Sequence, residues 1–120
     1  MFESEHSRRL ILIIEERGKV QGFVIGHVLD HECEIENLVV AADARRRGWG
    51  SKLVQGLIDS ASHVGVTAFF LEVRESNLAA RALYNRAGFV ENGRRKQYYR
   101  EPEEDGILLT FRSPPTDVSQ

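Results

Sequence analysis

The stretch Arg45-Arg46-Arg47-Gly48-Trp49-Gly50-Ser51 joins three arginines to two glycines directly before an amphipathic helical pattern. Glycine lets a ligand approach the main chain closely. The first turn of the helix that follows has unpaired N–H groups and partial positive charge. A strand, a glycine turn and a helix start form an anion site suited to phosphate, and here to a pyrophosphate. Further along, Glu72 is an acidic residue inside the apolar run Ala68-Phe69-Phe70-Leu71-Glu72-Val73. Such a carboxylate is either a proton acceptor in a site or half of an ion pair, with Arg74 or Arg81 as the nearby partners. Ser76 or Asn77 is of the type that caps a helix. Tyr84 shares a helical face with Ala80 and Ala87, where it either packs or gives up a proton. Trp49 reads as a packing residue that stiffens the loop rather than as a stacking platform.

These residues need elements to carry them. Leu10–Ile14 reads as a strand buried on both faces, followed by a hairpin bend at Gly18. Val20–Leu29 and Glu32–Val40 extend it into an antiparallel meander. Leu53, Leu57, Ala61 and Val64 recur at helical spacing from about Lys52, with Gly65 as the helix-ending glycine. Ala68–Val73 is a fourth strand, and a second helix from Ser76 or Asn77 closes at Gly88. Phe89–Tyr99 and Ile107–Phe111 form a last strand pair around the acidic loop Arg100–Gly106. The order is β-β-β-α-β-α-β-β, an α/β chain of the α+β type. Its strand–helix–strand crossover requires a parallel pair, so the sheet is mixed and mostly antiparallel, with helices on its faces. Residues 1–111 make one domain and 112–120 a flexible tail.

The totals narrow the function. A chain of 120 residues suits one domain, and a net charge of −2 gives no overall field for nucleic acid. The arginines must therefore act locally. One cysteine, Cys33, excludes an internal disulfide and reads as buried packing rather than as a nucleophile. The histidines lack zinc-site spacing, so no metal is expected, and His27, His31 and His63 receive no role. No apolar run is long enough to span a membrane, and no signal-peptide profile is present, so a cytoplasmic protein is expected.

In this order the residues resemble the GNAT-type N-acetyltransferases, most closely the RimI-like branch that acetylates protein N-termini. The family's acetyl-CoA signature, Gln/Arg-x-x-Gly-x-Gly/Ala, matches Arg45 to Gly50. Asn37-Leu38-Val39-Val40 precedes it, and Leu71-Glu72-Val73-Arg74 with Ser76-Asn77 follows. Ala82-Leu83-Tyr84, Gly88-Phe89 and the Arg94-Arg95-Lys96-Gln97-Tyr98-Tyr99 segment complete the resemblance, which runs from about residue 9 to residue 111. One departure stands out. Family members usually carry a strand and two helices before the segment that starts here, and those helices wall the acceptor groove.

The resemblance implies the GNAT acyl-CoA N-acyltransferase fold, shortened at its N-terminus, and acetyl transfer from acetyl-CoA to a primary amine. The acceptor it implies is a protein or peptide N-terminus, attacking directly in a ternary complex without a metal. Amides from Arg46 to Ser51 would bind the CoA pyrophosphate, with Arg45, Arg46 and Arg47 adding charge. Backbone groups of Leu38, Val39 and Val40 would meet the thioester and pantetheine, and Asn77 the pantetheine. Glu72 would be the general base and Tyr84 the acid that protonates the leaving thiolate. Tyr98, Tyr99 and the acidic loop either contact the acceptor or form an ordinary solvated hairpin. A CoA-binding module without catalysis and a small-amine acetyltransferase are the rival readings. An uncovered sheet face would leave an apolar patch, met by a homodimer or by an open acceptor groove.

Overall fold

Three long strands open the described chain, which in this computed structural model comprises residues 7–45 and 47–113. β1 (Ser7–Glu16), β2 (Lys19–Leu29) and β3 (Glu32–Val40) form the expected antiparallel meander. Between β1 and β2, Arg17 and Gly18 both take positive φ (55° and 75°), the two-residue hairpin turn whose twist matches the strands. After a single 3-10 turn at Ala42–Ala44 come α1 (Trp49–His63), β4 (Ala68–Arg74), α2 (Leu78–Arg86), β5 (Val90–Tyr99) and β6 (Glu104–Arg112). The sheet order is β1-β2-β3-β4-β6-β5, and β3–β4 is its parallel pair.

Both helices end the same way. In α1, Gly65 takes φ 97°, and the Val66 and Gly65 amides donate to the Ala61 and Ser62 carbonyls. In α2, Gly88 takes φ 102°, and the Phe89 and Gly88 amides donate to Tyr84 and Asn85. This is the six-to-one, five-to-two pattern that satisfies the last carbonyls, and it accounts for both glycines.

Cross-strand pairs put the two helices on one face of the sheet. Leu57 of α1 packs where a Gly26 side chain would be, beside the Cys33 thiol. Cys33 pairs with Phe69, and Phe69 with Phe111. Phe111 in turn stacks on Phe89, whose ring meets Tyr84 of α2 at 5.2 Å. Leu53, Leu57, Ile58, Phe69, Phe89 and Leu109 form the centre of this single core, and each such side chain removed from water contributes about 1.5–3 kcal/mol.

The other face is open, which corrects the reading of β1 as buried on both sides. Leu10, Leu12 and Ile14 pack on the core, whereas Ile11 and Ile13 are each 59% exposed. Val64 also leaves the core: it caps α1 and is exposed, because the helix has already ended at His63. α1 begins at Trp49 rather than Lys52, so the second half of the glycine loop is already helix. The domain boundary at 111 falls inside β6, which runs to Arg112, and the Ser113 amide donates to the Thr67 carbonyl. The rest of the expected tail, 114–120, lies outside the described residues.

Candidate active site

β3 and β4 stay paired for only three residues, from Glu32–Ala68 to Glu34–Phe70. The register of β2 against β3 then slips: Gly26 faces Ile35 while Ile25 faces Asn37, so Glu36 is an extra residue on β3. A bulge of this kind bends its strand. Beyond it β3 stays with β2, β4 stays with β6, and a gap opens between the two parallel strands. N–H groups of β3 that point toward β4 beyond Glu34 have no ladder partner there.

The gap is a cleft of about 160 Å³ lined by Glu36, Asn37 and Leu38 on one arm, Leu71, Glu72 and Val73 on the other, and Asn77 and Tyr84 of α2. A second cleft of about 370 Å³ lies against Arg45, Gly48, Trp49, Gly50 and Ser51, with Val40 and Leu83 as floor. Ala80 lines both, so they meet along the first turn of α2. The larger cleft faces the start of a 15-residue helix with no side-chain cap and no acidic residue in its first turn. Its first helical bond runs from the Lys52 amide to the Gly48 carbonyl, so the amides before it are free of intrahelical partners.

The two glycines of the loop have different causes. Gly48 takes φ 78° and ψ 9°, the left-handed region, with open space where a side chain would stand. Gly50 is helical; a Cβ there would lie 2.7 Å from Leu83 Cδ1. Its missing side chain lets α1 approach α2, and with it Tyr84.

The arginines divide. Arg45 lines the larger cleft. Arg46 lies outside the described residues. Arg47 turns away from the cleft: its guanidinium makes two hydrogen bonds of 3.1 Å to the Glu16 carboxylate of β1. The expectation that it faces the phosphate is thus corrected, because a bidentate carboxylate partner claims its planar fork. Arg86, which the sequence reading passed over, lines the cleft instead; it follows Leu83 at helical spacing, the one signal that could have found it. Trp49 lines the same cleft, with Arg47 and Lys52 over its ring at 5.3 and 4.8 Å.

Leu38 and Val40 each line one of the clefts, whereas the Val39 side chain is exposed on the open face. Asn77 is the N-cap of α2, its side-chain oxygen accepting from the Ala80 amide at 3.1 Å. Tyr84 is 3% exposed, and burial pushes its phenol above the ordinary value. Its ring is fixed by an edge contact to Phe89, the residue whose amide closes the α2 cap.

Glu72 alternates with the core residues Leu71 and Val73, so it points toward the open face while Tyr84 lies on the helix face. The gap between β3 and β4 connects the two. Neither sequence-near arginine pairs with Glu72: Arg74 bonds Glu104 at 3.1 Å and Arg81 bonds Glu91 at 2.8 Å. Its partner is Arg95 of β5, at 3.2 Å. Tyr98 and Tyr99 stand beside it, since a side chain on Gly106 would meet Glu72 Oε2, Tyr98 and Tyr99 within 3.4 Å.

Two other groups are accounted for. Burial, then the charges of Glu36 and Glu34, push the Cys33 thiol up to about 12, so it stays protonated and inert as a nucleophile. His27, Glu34 and Glu36 bring ligand-type atoms within 4.8 Å of one another, a cluster the sequence spacing did not reveal. Glu36 already has a counter-charge there, accepting hydrogen bonds of 2.9 and 3.2 Å from Arg9.

A splayed parallel pair leading from an uncapped helix start to a carboxylate and a buried phenol is the architecture of a CoA-dependent acyltransferase. The model of the acetyltransferase (GNAT) family matches residues 1–89, and the chain belongs to that family. It is an acetyl-CoA-dependent N-acetyltransferase acting on an amine. It is 37% identical over 110 residues to the [ribosomal protein bS18]-alanine N-acetyltransferase of Escherichia coli strain K12, covering 90% of this chain and 74% of that protein. The crystal structure of the Escherichia coli ribosomal-protein-S18-alanine N-acetyltransferase superposes with a TM-score of 0.84 at 34% identity, covering 98% of this chain and 77% of that one. A GNAT family acetyltransferase from Elizabethkingia anophelis, crystallised with acetyl-CoA bound, shares the fold with a TM-score of 0.78 at 23% identity, over 85% of this chain and 74% of that one.

Proposed function

We propose that the chain acetylates the α-amino group of a protein or peptide N-terminus by direct attack on acetyl-CoA in a ternary complex. The observation that carries this reading is the continuous path through the sheet. A cofactor seated on the α1 start runs its pantetheine along α2 into the β3–β4 gap, and an acceptor reaches the same gap from the open face. Arg45, Arg86 and the amides of Gly48 to Ser51 hold the pyrophosphate, and Asn77 meets the pantetheine. The relatives whose names specify an alanine acceptor make a peptide beginning with alanine the first to test.

In this mechanism Glu72, directly or through a water, takes a proton from the acceptor ammonium, whose ordinary pKa is near ~8. The free amine attacks the thioester carbonyl to form the C–N bond of a tetrahedral adduct, and the nitrogen's extra proton is released to solvent on the open face as the C–S bond breaks. An unpaired amide of the Leu38–Val40 segment faces the developing oxyanion, a contact worth roughly 3 kcal/mol per donor. Tyr84 donates its proton to the departing CoA sulfur and is reprotonated from solvent. Burial favours the neutral phenol, which keeps the proton on Tyr84 until the thiolate forms and makes it a weaker acid than an exposed tyrosine. The ribosomal acceptor named for the relatives supports a cytoplasmic location.

The test is thiol release from acetyl-CoA with an alanine-first peptide, its N-acetylated twin and a panel of small amines. Acetylation of the free peptide in preference to small amines supports the reading. Tight acetyl-CoA binding with no thiol release for any amine favours a binding module, and release confined to small amines favours a small-molecule acceptor. The exposed Ile11 and Ile13 support a second proposal, that two copies cover each other's open face as a homodimer.

A further inference from the structure

The arginine-rich segment of β5 is not used by the mechanism above, yet one of its side chains touches the base. Arg95 Nε lies 3.2 Å from Glu72 Oε2. β5 and β4 are separated by β6, and Arg95 and Arg74 are both paired with Gly106. The missing Gly106 side chain is the aperture through which Arg95 reaches: a Cβ there would stand 3.1 Å from Glu72 Oε2. A register irregularity between Arg95 and Tyr99 lifts this part of β5 out of the ladder. It is held there by Asp105, which accepts from the Gln97 amide at 2.8 Å and from Arg94 at 2.7 Å.

The contact differs from those of the neighbouring arginines. Arg94 and Arg74 make aligned hydrogen bonds to carboxylates. Arg95 contributes charge without alignment, for Glu72 Oε2 is buried and accepts no hydrogen bond from any described residue. The carboxylate side chain is 19% exposed and the Arg95 side chain 64%, so the cation is the part free to move. In the same position its guanidinium rests over the Tyr98 ring at 5.0 Å, a contact within its own strand besides the one to Glu72.

We propose that Arg95 is a place-holder for the acceptor's ammonium group: it counters the charge of Glu72 until the acceptor arrives and displaces it. An ammonium group carries three donors and the same charge as the guanidinium, so it replaces the charge and can align a donor on Glu72, which Arg95 does not. Arg95 thereby selects for acceptors that are cationic at the attacking end. This inference rests on the amine-acceptor reading above and adds the group that the amine must exchange with.

The experiment is calorimetric titration of the CoA-loaded protein with an alanine-first hexapeptide at low salt, for wild type, Arg95→Gln, Arg95→Lys, Glu72→Gln and the Glu72→Gln/Arg95→Gln double variant. Arg95→Gln is expected to tighten peptide binding by about two- to fivefold, the range for an ion pair of this exposure. Arg95→Lys, which keeps the charge, is expected to stay near wild type, and Arg95→Gln is expected to have no effect in the Glu72→Gln background. Weaker binding in Arg95→Gln overturns the proposal, as does equal tightening in both backgrounds, which would be a general surface-charge effect. Free and N-acetylated peptides that bind alike, or not at all, overturn it too. Because binding needs no turnover, a protein that releases no thiol contradicts the catalytic reading while this cycle still decides on Arg95.

Discussion

At the scale of single residues, the account stands on Glu72 and Tyr84 meeting across a gap in the sheet from its two faces. Glu72→Gln keeps the shape and removes the proton acceptor, so kcat/KM should fall by about a hundredfold or more, chiefly at lower pH where the amine is protonated. A pH–rate profile that Glu72→Gln leaves unchanged would remove Glu72 from the base role. Tyr84→Phe should lower turnover by roughly a hundredfold, the low end of general-acid effects because a thiolate is already a fair leaving group, with acetyl-CoA affinity little altered. Affinity that collapses while turnover survives would make Tyr84 a packing residue. Its titration carries a further signature. The folded phenol is raised by burial, so the stability it contributes is complete below the ordinary value of about 10 and is lost as pH rises toward the folded value. Alkaline melting curves should therefore be flatter for Tyr84→Phe than for wild type. The resemblance proposed roles for these two residues, but the partner of Glu72 was not legible. Arg95 lies two strands away, and only the register of β4, β6 and β5 brings it across Gly106.

At the scale of elements, the site depends on how α1 starts and where α2 is held. Gly48→Ala puts a side chain at φ 78° into open space, so its cost is conformational alone, about 1 kcal/mol, readable as a fall in Tm of a few degrees. Gly50→Ala instead presses on Leu83, and it should lower turnover as well as stability because α2 carries Tyr84. The sequence announced both glycines as a phosphate loop without separating these causes, since the second needs the contact between helices. The β5–β6 end has its own pH dependence. The Asp105 carboxyl is held low by the Gln97 amide and Arg94, and that of Glu104 by the Ser76 amide and Arg74. The stability they contribute is present above their ordinary values of about 4 and is lost as pH falls through the lower folded ones. Protection of the Gln97 and Ser76 amides, relative to their intrinsic exchange rates, should thus be lost at acid pH before that of the α1 core; equal loss in both would contradict it.

At the scale of the whole molecule, the order of elements along the chain and the parallel crossover were readable from the helical period of α1 and the apolar strands on either side of it. What escaped was one-sidedness. The run Leu10–Ile14 is apolar throughout, so composition alone could not tell a strand between two layers from an edge strand with Ile11 and Ile13 facing outward. If a second copy covers that face, sedimentation should give a dimer that Ile11→Lys with Ile13→Lys converts to a monomer; a wild-type monomer would retire the homodimer. The central claim is that one continuous cleft brings a CoA thioester from the helix face to an amine on the open face. It is tested most directly by single-turnover acetylation of an alanine-first peptide, following free CoA and the acetylated peptide together. The account predicts that both appear at one rate, only with peptide and acetyl-CoA present, and that Glu72→Gln slows both equally. CoA released in a burst before any acetylated peptide, or no transfer to any N-terminus, would contradict it.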